Sequence, residues 1–216
     1  MDTNLVTLII GLVVVFGIVT LLFRVQKLGG RGEATISVAQ LFTASVKLEA
    51  EKADRAKATE ALRKAVEQRG EPAEQVTVPD DNSSSGFARI LWVDDHPDNN
   101  LFETVALESL GRFVTQATST EAGLRYLSQL PYALAITDLG RHGDAGAGVD
   151  FIRQAKQTDH TLPIIVYTLN AQRVREEVIA AGAAAVVDRP DELLRQVAKQ
   201  LAANRSVHSG MFLREG

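Results

Sequence analysis

The chain has 216 residues, with 23 Lys and Arg against 27 Asp and Glu, a net charge of −4 and no cysteine. That length leaves room for one good-sized domain plus accessory segments, and the missing cysteines exclude disulfides, which suits a reducing compartment. From Phe87 onward 13 basic residues stand against 16 acidic ones, so the basic excess of a nucleic-acid binder is absent.

From Leu5 to Phe23 the chain carries no charge, and only Thr7 and Thr20 are polar. At ~1.5 Å per residue this run is about long enough to cross a hydrocarbon layer of ~30 Å, so it is expected to be a transmembrane helix. A cleaved signal peptide fits less well. It wants a basic start and a small-residue cleavage site, whereas this chain starts Met1-Asp2-Thr3-Asn4 and the run ends Phe23-Arg24. Arg24, Lys27 and Arg31 follow the run and no Lys or Arg precedes it. The positive-inside rule then predicts a single-pass protein of the inner (cytoplasmic) membrane, anchored by residues 1–24, with everything beyond in the cytoplasm. Gly11 and Gly17 lack small-xxx-small spacing, so the span itself offers no dimerisation motif.

Residues 25–70 read as a helical stalk. Ser37 and Gln40 form a capping-box pair, and a helix-favouring stretch follows to about Arg69, stopped by Gly70 and Pro72. Its first half holds Leu41, Phe42, Val46 and Leu48. The second half is Ala-rich, with Glu51/Arg55, Glu60/Lys64 and Arg63/Glu67 at i,i+4 spacing. No heptad seam is sustained, so the expectation is a solvated stalk, with a homodimer through this helix as the alternative. Residues 71–86, EPAEQVTVPDDNSSSG, read as a flexible linker.

Residues 87–204 alternate short apolar runs with helical patterns, and 205–216 form a tail. Strands are expected at Ala88–Val93, Phe113–Ala117, Tyr132–Thr137, Pro163–Tyr167 and Ala183–Val187. Helices are expected at about 100–110, closed by Gly111; from a Thr118/Glu121 capping box to about 129; from near Gly148; at 171–181, stopped by Gly182; and from Pro190 to about 203. Five strands alternating with five helices predict a five-stranded, parallel, doubly wound α/β domain whose ligand site lies at the carboxyl ends of the strands.

Those ends carry Asp94-Asp95, Asp138, Thr168 and Arg189-Pro190. Phosphoryl transfer to a carboxylate needs a nucleophilic Asp, a hard cation and fixed donors for the phosphoryl oxygens. Asp138 suits the first role. Asp94 and Asp95, with Asp138 and the Gly140 carbonyl, suit Mg²⁺, which takes oxygen ligands and keeps several waters. Two such carboxylates ~4 Å apart repel by about 4 kcal/mol at an effective dielectric near 20, so a cation is expected among them. Thr168 offers a hydroxyl and Arg189 a guanidinium to a phosphoryl group. His96 and His142 share no ligand spacing and read as loop histidines, while Trp92 reads as core.

Together ILWVDD, the Asp of LAITD, the Thr of PIIVYT and GAAAVVDRP resemble the receiver domain of two-component response regulators over about 87–203. The resemblance implies a flavodoxin-like fold and Mg²⁺ held by Asp94, Asp95 and Asp138. It also implies phosphoryl transfer to Asp138 from a histidine kinase or phosphotransfer protein, and signalling through the face around the fourth and fifth strands. Several positions depart from the family pattern. Arg189 replaces the usual Lys, Val186 the switch aromatic, Leu169 the small residue after the hydroxyl, and residues 139–147 the usual Met-Pro turn.

The leading expectation is therefore a membrane-anchored phosphoacceptor rather than an enzyme, with its output through a partner protein, self-association or a change transmitted to the stalk, because only about a dozen residues follow the last helix. Two alternatives stand beside it. One is a pseudo-receiver that binds protein without using phosphorylation; the other is a Mg²⁺-dependent nuclease or phosphatase.

Overall fold

In the computed structural model the described residues are 38–70, 78 and 87–212. The apolar run 5–23 lies outside them, as does Ser37, and among the described residues no helix is long and apolar enough to cross a membrane.

The described chain opens with helix α1 (Val38–Gln68). The strands and helices that follow alternate as β1 (Ala88–Val93), α2 (Leu101–Ser109), β2 (Arg112–Ala117), α3 (Thr120–Gln129), β3 (Leu134–Thr137), α4 (Ala147–Thr158), β4 (Ile164–Tyr167), α5 (Ala171–Ala181), β5 (Ala185–Val187) and α6 (Pro190–Phe212). A 3₁₀ turn, Pro97–Asn100, leads into α2. The strands form one parallel sheet in the order β2-β1-β3-β4-β5. In this doubly wound arrangement the order reverses beside β1 and β3, which puts the carboxyl ends of those two strands at the ligand-binding crevice.

The apolar runs are strands because both sheet faces are covered. Ile90, Trp92, Leu134, Ile136, Ile165 and Tyr167 belong to one core cluster, and Leu91, Val93, Ala135, Ile164 and Val166 to the other. Alternation along each strand divides the two layers. Gly111 and Gly182 have φ of 75° and 113°, the left-handed conformation that ends α2 and α5. Pro190 is the first residue of α6, as expected.

Several boundaries differ from the sequence reading: β2 begins one residue earlier, at Arg112, β4 one later, at Ile164, and β5 two later, at Ala185. Ser119, not Thr118, caps α3, its Oγ accepting from the Ala122 N–H at 3.2 Å. β3 begins at Leu134 because Tyr132 and Ala133 are only half-buried, although the Ala133 N–H already donates to the Arg89 carbonyl at 2.9 Å. α6 continues to Phe212.

The largest difference concerns α1. From Leu48 onward the chain forms one unit with the α/β domain, and the expected solvated stalk has a buried face. Ala58, Ala61, Leu62, Ala65 and Val66 are all buried. Ala58, Ala61 and Leu62 join the core cluster that holds Ala106, Leu107, Leu193 and Val197. The spacing 58, 61, 62, 65, 66 is one helical stripe, and full burial of Leu62 alone is worth roughly 1.5–3 kcal/mol. The opposite face keeps the expected ion pairs, Arg63 with Glu67 and Lys64 with Glu60 at 3.7 Å.

Candidate functional site

β1 ends at Val93, and Asp94 and Asp95 follow at once. The Asp94 N–H donates to the Ala117 carbonyl at 2.9 Å, which continues the β1–β2 ladder by one step and fixes the backbone there. Asp94 then accepts from the His96 N–H at 2.8 Å and from Asn100 Nδ2 at 2.7 Å. Asp95 accepts from the His142 N–H at 2.7 Å, and its other oxygen lies 2.9 Å from His96 Nδ1. The His142 N–H, followed by the His96 ring, holds the Asp95 carboxyl below its ordinary pKa, and Asp95 in turn raises that of His96.

Asp138 follows β3, its N–H donating to the Val93 carbonyl at 3.2 Å. Its side chain is 16% exposed. Burial pushes its carboxyl up to a pKa of about 6; Asp94 and Asp95 push the same way, and Arg141 pulls it down.

An open pocket of about 410 Å³ is lined by Asp94, Asp95, His96, Asp138, Gly140 and Thr168, together with Glu103, Tyr167 and Arg69. Four of the expected site residues, Asp94, Asp95, Asp138 and Thr168, thus share one pocket with Gly140. Thr168 is placed by its N–H, which donates to the Val187 carbonyl at 3.0 Å. Arg189 does not line this pocket. It turns to Asp191, with Nε 3.1 Å from Oδ1. Val186 is buried in the core cluster on the α4/α5 side, and Pro190 is buried at the start of α6.

Among the described residues Asp94, Asp95 and His96 form a set of metal-capable side chains whose ligand atoms lie within 4.8 Å of one another. Asp138 falls outside that set. Its carboxylate is instead engaged by Arg141, a contact that three-residue spacing through the Leu139-Gly140 corner makes local. The carboxylates of Asp94, Asp95 and Asp138 line the same pocket and are the donor type suited to a hard divalent cation.

Arg141 is the residue that sequence reasoning missed. The Arg141 N–H donates to the Asp144 carbonyl at 2.9 Å and the Asp144 N–H returns to Arg141 at 2.8 Å. His142 and Gly143 between them have φ of 50° and 84°, the signature of a tight type I′ hairpin turn. This small hairpin carries the Arg141 side chain inward, where it is 3% exposed. Besides Asp138 it donates to Thr137 Oγ1 at 2.8 Å, Thr120 Oγ1 at 2.8 Å and the Ala147 carbonyl at 2.7 Å. Gly148 closes the loop, since a Cβ there would lie 2.2 Å from the Asp138 carbonyl oxygen. The nine-residue insertion thus has a defined structure built around one guanidinium. The histidines do more than decorate loops, since both approach Asp95.

Residues 90–199 match the family model described as "Response regulator receiver domain". A curated relative, the sensor histidine kinase GacS of Pseudomonas protegens, is 29% identical over 120 residues, which is 55% of this chain and 13% of that protein. Among solved structures, a CheY-like receiver domain protein from Methanospirillum hungatei is similar at a TM-score of 0.50 and 23% identity, covering 56% of this chain and 98% of that one. NtrX from Brucella abortus is similar at a TM-score of 0.54 and 19% identity, covering 59% and 30%. At these identities the two structures speak for the fold alone. With a family model matched across half its length and the parallel sheet and acid-edged pocket that go with it, the chain belongs to the response regulator receiver domain family.

Proposed function

We propose that this chain is a phosphoacceptor that takes a phosphoryl group on Asp138 from a histidine kinase or phosphotransfer protein and passes the signal on through protein contacts. The observation that carries the reading is the convergence of Asp94, Asp95, Asp138, Gly140 and Thr168 on one pocket. In the step itself an Asp138 carboxylate oxygen attacks phosphorus, a P–O bond forms, and the donor's bond to phosphorus breaks with its electron pair leaving on the donor. Asp94 and Asp95, with Asp138 and the Gly140 carbonyl on the same pocket, would hold Mg²⁺, which would supply charge neutralisation for the phosphoryl oxygens. Thr168 donates its hydroxyl to one of them. Arg141 orients the Asp138 carboxylate and offsets its burial.

The Arg141–Asp138 pair also favours a second reading. A carboxylate whose charge is already satisfied inside the protein suits a phosphorylation-independent interaction module, and Val186 in place of a switch aromatic points the same way. Residues 5–23 tether either version to the membrane, a point that fractionation of cells expressing the chain tests directly.

Incubating the full-length chain with Mg²⁺ and a small phosphodonor such as acetyl phosphate separates the two. Uptake of a single acid-labile phosphate, dependent on Mg²⁺ and lost in Asp138→Asn, supports the phosphoacceptor. Mg²⁺ binding without uptake supports the interaction module.

A further inference from the structure

Four acids, Asp94, Asp95, Glu103 and Asp138, line the pocket, and among the described residues the only Lys or Arg lining it is Arg69. A phosphoryl dianion brought into such a pocket meets repulsion from these acids, and Arg141, another cation nearby, is already engaged by Asp138 and by three further acceptors. Arg189, which the family pattern would assign to the task, faces Asp191 instead.

Arg69 occupies the ground that Arg189 leaves. Its Nη1 donates to the Asp188 carbonyl at 2.6 Å, one residue before Arg189. Its guanidinium carbon lies 4.4 Å from the centroid of the Tyr167 ring, one residue before Thr168. Because the Thr168 N–H bonds the Val187 carbonyl, Asp188 and Tyr167 are neighbours, and the guanidinium sits at the paired ends of β4 and β5. Glu103 holds it from a third side, 3.6 Å away. Glu103 is itself buried, accepts from the Tyr167 hydroxyl at 2.7 Å and has a second oxygen with no hydrogen bond, so the nearby cation compensates a buried charge. A guanidinium has five N–H donors; of these, one is engaged in a hydrogen bond among the described residues.

We propose that Arg69, carried by the helix that precedes the receiver domain, is the phosphoryl-contacting cation of the pocket. The proposal rests on the phosphoacceptor reading and deepens it by naming the residue. Because Arg69 directly follows α1, whose Ala58, Ala61 and Leu62 are buried in the domain's core, docking of this helix and occupancy of the pocket are linked. Whatever factor docking adds to phosphoryl affinity, the phosphoryl group returns to docking.

The test uses the full-length chain in detergent, with Mg²⁺ and beryllium fluoride as the phosphoryl stand-in, read by the fluorescence of the single Trp92, whose ring is 6.0 Å from that of Tyr167. Arg69→Ala is expected to weaken the beryllium fluoride response at least tenfold while Mg²⁺ binding changes less than threefold. Arg69→Lys should recover most of the loss, and Arg189→Ala should stay within twofold of the unaltered chain. Since Arg69→Ala leaves Glu103 uncompensated, the double variant Arg69→Ala/Glu103→Gln is included. It removes the buried charge and should lose the response equally. A normal response in the double variant, or a loss in Arg189→Ala alone, overturns the proposal while leaving the phosphoacceptor reading standing. No response and no phosphate uptake in the unaltered chain overturns both.

Discussion

Two corners of the carboxyl edge each present an arginine, and their fates differ. In the loop after β3, Arg141 is buried and donates to a carboxylate, two hydroxyls and a carbonyl. At the β5–α6 corner, Arg189 is 48% exposed and pairs with Asp191. The difference follows from desolvation. A guanidinium goes into low dielectric only where a carboxylate and enough acceptors are already fixed to receive it. The loop after β3 brings Asp138, Thr120 and Ala147 together, whereas the corner after β5 offers Arg189 only the buried Asp191, which is shared with Arg195 at 2.8 Å. Which of these two arginines is drawn inside is thus decided by the partners its backbone gathers, not by its place in a familiar motif.

The sharpest way to break this contrast is to truncate each arginine. Arg141→Ala leaves Asp138 buried without its cation and takes a donor from three further acceptors, so urea unfolding should show a loss of about 3–5 kcal/mol, the range for breaking a buried pair. Arg189→Ala should cost less than about 1 kcal/mol, because Arg189 is half exposed and Asp191 keeps its second partner, Arg195, at 2.8 Å. Similar losses at both sites would dissolve the distinction.

A second consequence concerns pH. The Asp138 carboxyl titrates near 6 in the folded protein against an ordinary 3.8. The folded state therefore holds the proton more tightly than the unfolded one. This contribution to stability is fully present below about pH 4 and is lost as pH rises through about 6. The amplitude is about 3 kcal/mol at 1.36 kcal/mol per unit. Unfolding curves across that window in metal-free buffer should show the fall, and Asp138→Asn should remove it. A stability that rises over the same window in the unaltered chain and is unchanged by Asp138→Asn would refute the assignment.

Gly148→Ala sharpens the loop side of the comparison. Its Cβ would stand 2.2 Å from one backbone oxygen and 2.9 Å from the Leu139 Cα, so thermal unfolding should report a loss of about 1–3 kcal/mol. Gly143→Ala should lose less, because nothing lies within 4 Å of its Cβ position and only its φ of 84° is strained.

Much of the domain was legible because its strands are buried on both faces and so read as apolar runs, and because Gly111, Gly182 and Pro190 mark helix ends in the usual way. Asp94, Asp95, Asp138 and Thr168 were legible for the same reason, since a parallel sheet delivers the residue after each strand to one edge. The docking face of α1 was not. Its stripe is mostly alanine, which reads as helix propensity rather than as an apolar face, and only Leu62 and Val66 signal burial. Arg141 was hidden because an I′ hairpin inside a nine-residue loop leaves no periodic trace. Arg69 was hidden because its partners, Asp188, Tyr167 and Glu103, come together only through the tertiary fold.

The central claim is that Asp138, rather than the acids after β1, forms the bond to phosphorus. Borohydride reduction of the phosphodonor-treated chain, followed by peptide mass mapping, marks the carboxylate that carried the phosphoryl group by converting it to an alcohol. The account predicts the reduced residue at position 138 alone; a mark on Asp94 or Asp95, with Asp138 unaltered, would contradict it.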